Sequence, residues 1–156
     1  MIELVPLDVA HAARLRELHQ QPGVRKWWGP MEPHFPFDEP ESQRFAIVAD
    51  GEVIGLIQWG DDSYEDNRRA YVDIFVGDEH VGRGVGTEAL RQMISTLIHE
   101  HGYHRITLDP AVENEAAIRS YEKAGFRRVG VLERSYREHD SGEWRDELLM
   151  ELVVDA

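Results

Sequence analysis

The residues best suited to chemistry form one run, Val81-Gly82-Arg83-Gly84-Val85-Gly86-Thr87. A β-type segment, Tyr71 to Val76, precedes it, and a strongly periodic helical segment follows. Glycines let a backbone take left-handed angles and approach a ligand closely. A helix N-terminus adds unpaired N–H groups and the positive end of a dipole. Together they suit an anion, with phosphate or pyrophosphate the natural guest; the plainer alternative is a tight turn and nothing more. Two nucleotide motifs are excluded. Thr87 stands where a dinucleotide fingerprint needs glycine, and no suitable acidic residue follows a second strand about 20 residues on. The Gly-Lys-Ser/Thr ending of a P-loop is absent. The loop therefore points to a phosphate-bearing ligand of another kind.

Other chemistries are narrowed by composition. There are no cysteines, which removes disulfides, thiolate metal sites and a cysteine nucleophile. His99-Glu100-His101 with His104 misses the zinc-protease spacing, because Tyr103 stands where the second histidine belongs. Histidines at a helix C-terminus suit the dipole there, so no metal site is expected. The net charge is −13, from 30 acids against 17 bases. Such a surface repels nucleic acid and anionic membranes, so neither is an expected partner. It attracts a cationic ligand, although solubility alone is an equal explanation.

The elements that must position the loop are legible in order. Ile2 to Leu7 reads as a strand, and Asp8 as the cap of a helix through about Gln20, broken by Pro22 and Gly23. Val24 to Trp28 reads as a short helix ending at Gly29-Pro30, followed by a proline-rich, aromatic stretch from Met31 to Pro40. Arg44 to Ala49 and Glu52 to Trp59 flank Asp50-Gly51, a strong hairpin signal, and Gly60 to Arg69 reads as a polar connection. In Tyr71 to Val76 the side chains alternate: Tyr71, Asp73 and Phe75 share one face, and Val72, Ile74 and Val76 the other. A helix is expected from Gly84 to Glu100, a strand from Arg105 to Asp109, and a helix capped by Asn114 that ends before Gly125. Phe126 to Arg137 and Glu143 to Val154 complete the chain as strands. Helices and strands interleave, so the fold class is α/β, a mixed sheet with helices on its faces. The chain has 156 residues, expected to form a single domain over 1–156 that buries roughly 70% of its unfolded surface. No run is long and apolar enough to span a membrane, and no secretory signal is evident, so a cytoplasmic location is the default expectation.

This order of elements, with Arg83, Gly84 and Gly86 in the loop and Asn114, Ala117, Tyr121 and Gly125-Phe126 downstream, resembles the GNAT superfamily of N-acetyltransferases. The resemblance covers nearly the whole chain and is sharpest from Tyr71 to Arg128. The superfamily's loop reads Gln/Arg-x-x-Gly-x-Gly/Ala, and Val81 departs from its first position. Trp27-Trp28-Gly29, Asp109-Pro110 and the Asp73 run look like the aminoglycoside 6′-N-acetyltransferases. Glu133 to Asp146 instead looks like general amine or protein N-terminal acetyltransferases.

The resemblance implies a GNAT-like, mostly antiparallel sheet and transfer of acetyl from acetyl-coenzyme A to an amine. It implies that the N–H groups from Gly82 to Thr87 (Gly82, Arg83, Gly84, Val85, Gly86 and Thr87), next to Val81, hold the pyrophosphate, with Asn114 and Ala117 along the pantetheine arm. The backbone of Ile74, Phe75 and Val76 would polarise the thioester carbonyl. An alkyl amine is protonated at neutral pH and needs a base. Asp73 is the candidate, acting directly or through water, with an ordinary solvated strand carboxylate as the alternative. Tyr121 would protonate the leaving thiolate; without the resemblance it reads equally as packing. Asn114 is otherwise only a helix cap. Trp27, Trp28, Asp73, Asp109, Asp146 and Glu133 are candidates to line an acceptor site. The acceptor expected is a cationic, aminoglycoside-like small molecule. The alternatives are a protein or peptide amine, a polyamine, or a non-catalytic acyl-coenzyme A sensor. A homodimer is left open, and antibiotic resistance does not follow from the fold.

Overall fold

The computed structural model describes every residue except Asp62. Strand β1 (Ile2–Pro6) leads into helices α1 (Val9–His19) and α2 (Pro22–Trp28). Strands β2 (Gln43–Ala49), β3 (Glu52–Asp61) and β4 (Ala70–Val76) follow. A short 3₁₀ turn, Asp78–His80, precedes α3 (Val85–His99). The chain continues through β5 (Arg105–Leu108), α4 (Glu115–Ala124), β6 (Arg127–Arg137) and β7 (Trp144–Val153). The strands form one seven-stranded sheet in the order β1-β2-β3-β4-β5-β7-β6. Every neighbouring pair is antiparallel except β4 and β5, which run parallel. The fold is the mixed, mostly antiparallel α/β sheet expected from the sequence.

Local chemistry explains the boundaries. The Asp8 carboxylate accepts the Ala10 N–H at 3.0 Å, and His11 Nδ1 accepts the Asp8 N–H at 3.0 Å, which closes a capping box at the start of α1. Pro22 does more than end α1. It occupies the first turn of α2, where its missing N–H leaves no bond unmade. Asp50 and Gly51 take φ of 50° and 80°, the paired left-handed geometry that closes a tight hairpin between β2 and β3. The connection expected from Gly60 begins later, because β3 stays paired through Asp61 opposite Ala70.

The sheet separates two apolar layers. On one face α3 buries Ala89, Leu90, Met93 and Leu97 with Ile57, Val72, Ile106 and Met150. On the other, Leu15 and Leu18 of α1 pack with Val24, Phe35, Leu56 and Phe75. Neighbours such as Leu56 and Ile57 go to opposite layers because side chains alternate across a strand.

The parallel pair is where the sheet opens. Strands β4 and β5 pair only at Ala70–Ile106 and Tyr71–Thr107. Beyond Tyr71, β4 continues to Val76 with β3 on one side and no ladder to β5 on the other. The C-terminal ends of two parallel strands thus border a gap, the place in open α/β sheets where ligands bind.

Gly55 lies on β3 opposite Val76, at the open end of β4. A Cβ there would collide with the Phe75 carbonyl oxygen and lie 3.1 Å from the Val76 Cα. Gly55→Ala is therefore expected to destabilise the fold by about 1–3 kcal/mol, the usual range for overpacking. Urea denaturation checks this, and an unchanged midpoint would contradict the close approach.

Candidate active site

The register places Asp73 and Asp109 across the mouth of the gap. Tyr71 pairs with Thr107, and each carboxylate lies two residues beyond that pair. Asp73 is half-buried, and its pKa is pushed up to about 6, chiefly by loss of solvent and then by the nearby Asp109. Asp109 stands at the rim and is also pushed up to about 6, first by desolvation and next by Glu147. Glu147 of β7 is raised in turn by its partial burial and by Asp73, while a Ser135 hydrogen bond at 2.8 Å opposes the rise. Three carboxylates therefore feel one another at one opening.

A polar row reaches Asp73 from the sheet. Arg44 pairs with Gln58, and Gln58 with Asp73, in the ladders β2–β3 and β3–β4. Arg44 Nε donates to Gln58 Oε1 at 2.6 Å, and Gln58 Nε2 donates to Asp73 Oδ2 at 3.2 Å. The Arg44 side chain is 3% exposed. It also meets Asp38 at 2.9 Å, Glu39 at 3.5 Å and the Pro36 carbonyl at 2.7 Å. A desolvated guanidinium needs such partners. The consequence is local order: the stretch from Met31 to Pro40 is pinned to the sheet. Arg16 adds a bond of 2.7 Å to the Phe35 carbonyl.

Helix α4 supplies Tyr121 from the layer on the α3 side. Its hydroxyl is held in the protonated form, first by burial, then by Asp73 and Asp109. That influence links Tyr121 to both carboxylates. Asn114 caps α4, with Oδ1 accepting the Ala117 N–H at 3.3 Å.

The glycine run lies at the start of α3. Gly82 and Gly84 take φ of 80° and 81°, conformations that side chains rarely adopt, with open space where a Cβ would project. Gly84 precedes the first turn and no side chain caps it. Val81 and Arg83 are exposed, Val85 and Gly86 half-buried, and Thr87 buried. The Thr87 and Ser120 hydroxyls lie 2.9 Å apart, which ties this helix end to α4 one residue before Tyr121. Gly86 in turn approaches the end of β4, with the Val76 methyl 3.6 Å from where its Cβ would stand.

The remaining candidates divide. Trp28 packs edge-on against Phe75, with centroids 4.9 Å apart, and so forms the floor beneath Asp73's face. Trp27 is exposed, with the Lys26 ammonium 4.6 Å from its ring centre. Glu133 is exposed on β6. Asp146 accepts the Arg134 N–H at 2.8 Å and anchors an irregularity of β6; its neighbour Glu147 is the residue that joins the carboxylates. Sequence reasoning missed Glu147, Arg44, Gln58 and Glu39. A polar arginine and glutamine in otherwise apolar strands were the available signal.

Removing the guanidinium tests the pinning. Arg44→Met leaves buried acceptors without their donor and is expected to cost about 3–5 kcal/mol, the range for breaking a buried ion pair. Chemical denaturation measures it; a negligible loss would show that the segment is held by other contacts.

Comparison with known proteins gives the family and the fold. The family model described as acetyltransferase (GNAT) family matches residues 11–126. The aminoglycoside N(6′)-acetyltransferase type 1 of Klebsiella pneumoniae is 25% identical over 142 residues, covering 77% of this chain and 71% of that protein. The spermidine N(1)-acetyltransferase of Escherichia coli K12 is 26% identical over 160 aligned positions, covering 96% and 84%. The crystal structure of the Vibrio cholerae spermidine N-acetyltransferase with coenzyme A and spermine superposes with a TM-score of 0.81 at 24% identity, over 97% of this chain and 95% of that one.

Proposed function

The chain belongs to the acetyltransferase (GNAT) family and is an acetyl-coenzyme A-dependent N-acetyltransferase; we propose that its acceptor is a primary amine on a small polycation, with an aminoglycoside 6′-amine as the first reading. The observation that carries this is the grouping of Asp73, Asp109 and Glu147 at one opening. Each is raised by desolvation and by a neighbouring carboxylate, so a cation entering the gap relieves the repulsion. An acceptor with more than one ammonium group satisfies more of them than a monoamine does.

The residues around Gly82 and Gly84 fit a coenzyme pyrophosphate. Positive φ, open space and an uncapped helix start present backbone N–H groups without side-chain obstruction. When bound there, acetyl-coenzyme A supplies the thioester. Gly82 to Thr87 would hold its phosphates, with Val81 and Arg83 at the surface, and Asn114 and Ala117 would lie along its pantetheine arm. On the unpaired edge of β4 the outward N–H groups alternate, so those of Ile74 and Val76, flanking Phe75, would face the acyl oxygen.

Asp73 then takes a proton from the acceptor ammonium, directly or through one water. A pKa of about 6 keeps it ionised at neutral pH yet basic enough to accept a proton. Tyr121 keeps its proton for the departing sulfur, because burial and two carboxylates oppose its ionisation. Asp109 and Glu147 hold further ammonium groups, and Trp27 and Trp28 border the acceptor's outer part, while Asp146 stays with the Arg134 N–H.

A linear polyamine is the second reading. The spermidine acetyltransferase match extends over 96% of the chain, against 77% for the aminoglycoside enzyme.

Release of free thiol from acetyl-coenzyme A distinguishes the readings. The acceptors are aminoglycosides with and without a 6′-amine, polyamines and peptide N-termini. Turnover confined to 6′-amine aminoglycosides supports the first reading, and turnover confined to polyamines the second. Turnover with peptides alone would overturn both.

The pH dependence has a defined sign. The base works deprotonated, so kcat/KM is expected to fall tenfold per unit as pH drops below about 6. A flat profile down to pH about 5 would remove Asp73 as the base. Tyr121→Phe is expected to lower kcat by roughly 10²–10⁴-fold while leaving coenzyme A affinity close to wild type. An unchanged kcat would remove its role as acid.

A further inference from the structure

Asp73 is oriented by more than its own strand. Arg44, Gln58 and Asp73 stand in register on three adjacent strands, and Gln58 is 4% exposed. A guanidinium has only donors, so Arg44 Nε at 2.6 Å must face the oxygen of the Gln58 amide. That fixes the amide. Its Nε2 is turned toward Asp73 Oδ2 at 3.2 Å and Glu39 Oε2 at 3.3 Å. Among the described residues, no protein hydrogen bond engages Asp73 Oδ1.

We propose that Gln58 is a positioning residue for acetyl transfer: locked by Arg44, it holds one oxygen of Asp73 and leaves the other directed to the acceptor amine. The proposal rests on Asp73 being the base. The charged and titratable groups around Asp73 explain why a neutral donor matters. Glu39 approaches from the segment before β2, Arg44 from β2, Asp109 from the end of β5, Glu147 from β7 and Tyr121 from α4. Acids predominate in this set, and Arg44 spends its contacts on Asp38, Glu39, Pro36 and Gln58. Gln58 is the side chain that delivers a hydrogen-bond donor to Asp73. Without it the ionised carboxylate loses support, and its plane loses its anchor.

The test is a titration of Asp73 in the full chain. Aspartate carboxyl carbons are labelled with ¹³C, and the Asp73 resonance is identified by its loss in Asp73→Asn. In Gln58→Met the Asp73 pKa is expected to rise by about one to two units, the equivalent of a lost hydrogen bond to a charged group. The acidic limb of kcat/KM should move up with it, while coenzyme A affinity is retained. If Gln58→Met no longer binds coenzyme A, Gln58→Glu decides. It retains an acceptor for Arg44 but loses the donor. Its added charge raises the Asp73 pKa whatever Gln58 does, so the deciding reading is the high-pH plateau of kcat/KM, expected to stay lowered when Asp73 is unanchored and to equal wild type if Gln58 is only structural.

A purely structural Gln58 would lower stability and leave the Asp73 titration where it is. That result, with Asp73→Asn inactive, would overturn the role of Gln58 and leave Asp73 as the base. Full turnover by Asp73→Asn would instead overturn the base assignment, and the proposal with it.

Discussion

The ladder between β4 and β5 stops after two residue pairs, and the rest of the site depends on that stop. Were the chain to continue beside β4 past Leu108, the outward backbone groups of Val72 to Val76 would be taken up and the cleft closed. The interruption exposes one edge of β4 within a continuous sheet. It also brings two elements to one opening, the carboxylates that follow the last parallel pair and Tyr121 of α4. Antiparallel pairing on both flanks keeps the opening from spreading: β3 stays in register with β4 from Asp61–Ala70 to Gly55–Val76, and β5 is held by β7.

The electrostatics of the opening are unfavourable without a guest. Asp73, Asp109 and Glu147 raise one another's affinity for protons, and desolvation adds to the effect. The buried guanidinium of Arg44 lies in the same row, yet its contacts go to Asp38, Glu39 and a carbonyl, so it orders the neighbouring segment more than it neutralises Asp73. The structure thus preserves a demand for positive charge where an amine would enter. Beside it, the uncapped start of α3 preserves a demand for negative charge. These opposite demands, tied together by Thr87 and Ser120, match the two partners of an acetyl transfer to a cationic amine.

Much of the fold was legible because its signals are local. The capping box of Asp8, the Asp50-Gly51 turn, the Asn114 cap and Gly125 each mark a boundary by short-range chemistry. The alternation of β4 put Asp73 on the face of Phe75, and the structure keeps it there, over the Phe75–Trp28 contact. The polar row was not legible, and the reason is a bulge. Counting back from the turn pairs Ala49 with Glu52 and Val48 with Val53, which would set Arg44 against Ile57. The register shifts between Ile47 and Val48, and Arg44 meets Gln58 instead. A one-residue slip reverses the face of every side chain beyond it. Asp146 and Glu147 differ for a simpler reason. Strand β7 runs against β5 without a register shift, so alternation puts Asp146 on the face of Leu148 and Met150 and Glu147 on the opposite one, a pattern the alternating apolar residues of β7 did carry.

The most direct measurement is a crystal structure of the protein with coenzyme A and the amine it acetylates fastest. The account predicts the pyrophosphate on the N–H groups of Gly82 to Thr87. It predicts the acceptor nitrogen at roughly 2.6–3.2 Å from the Asp73 carboxylate, or one water away. A nitrogen bound elsewhere, with Asp73 and Asp109 out of its reach, would contradict it.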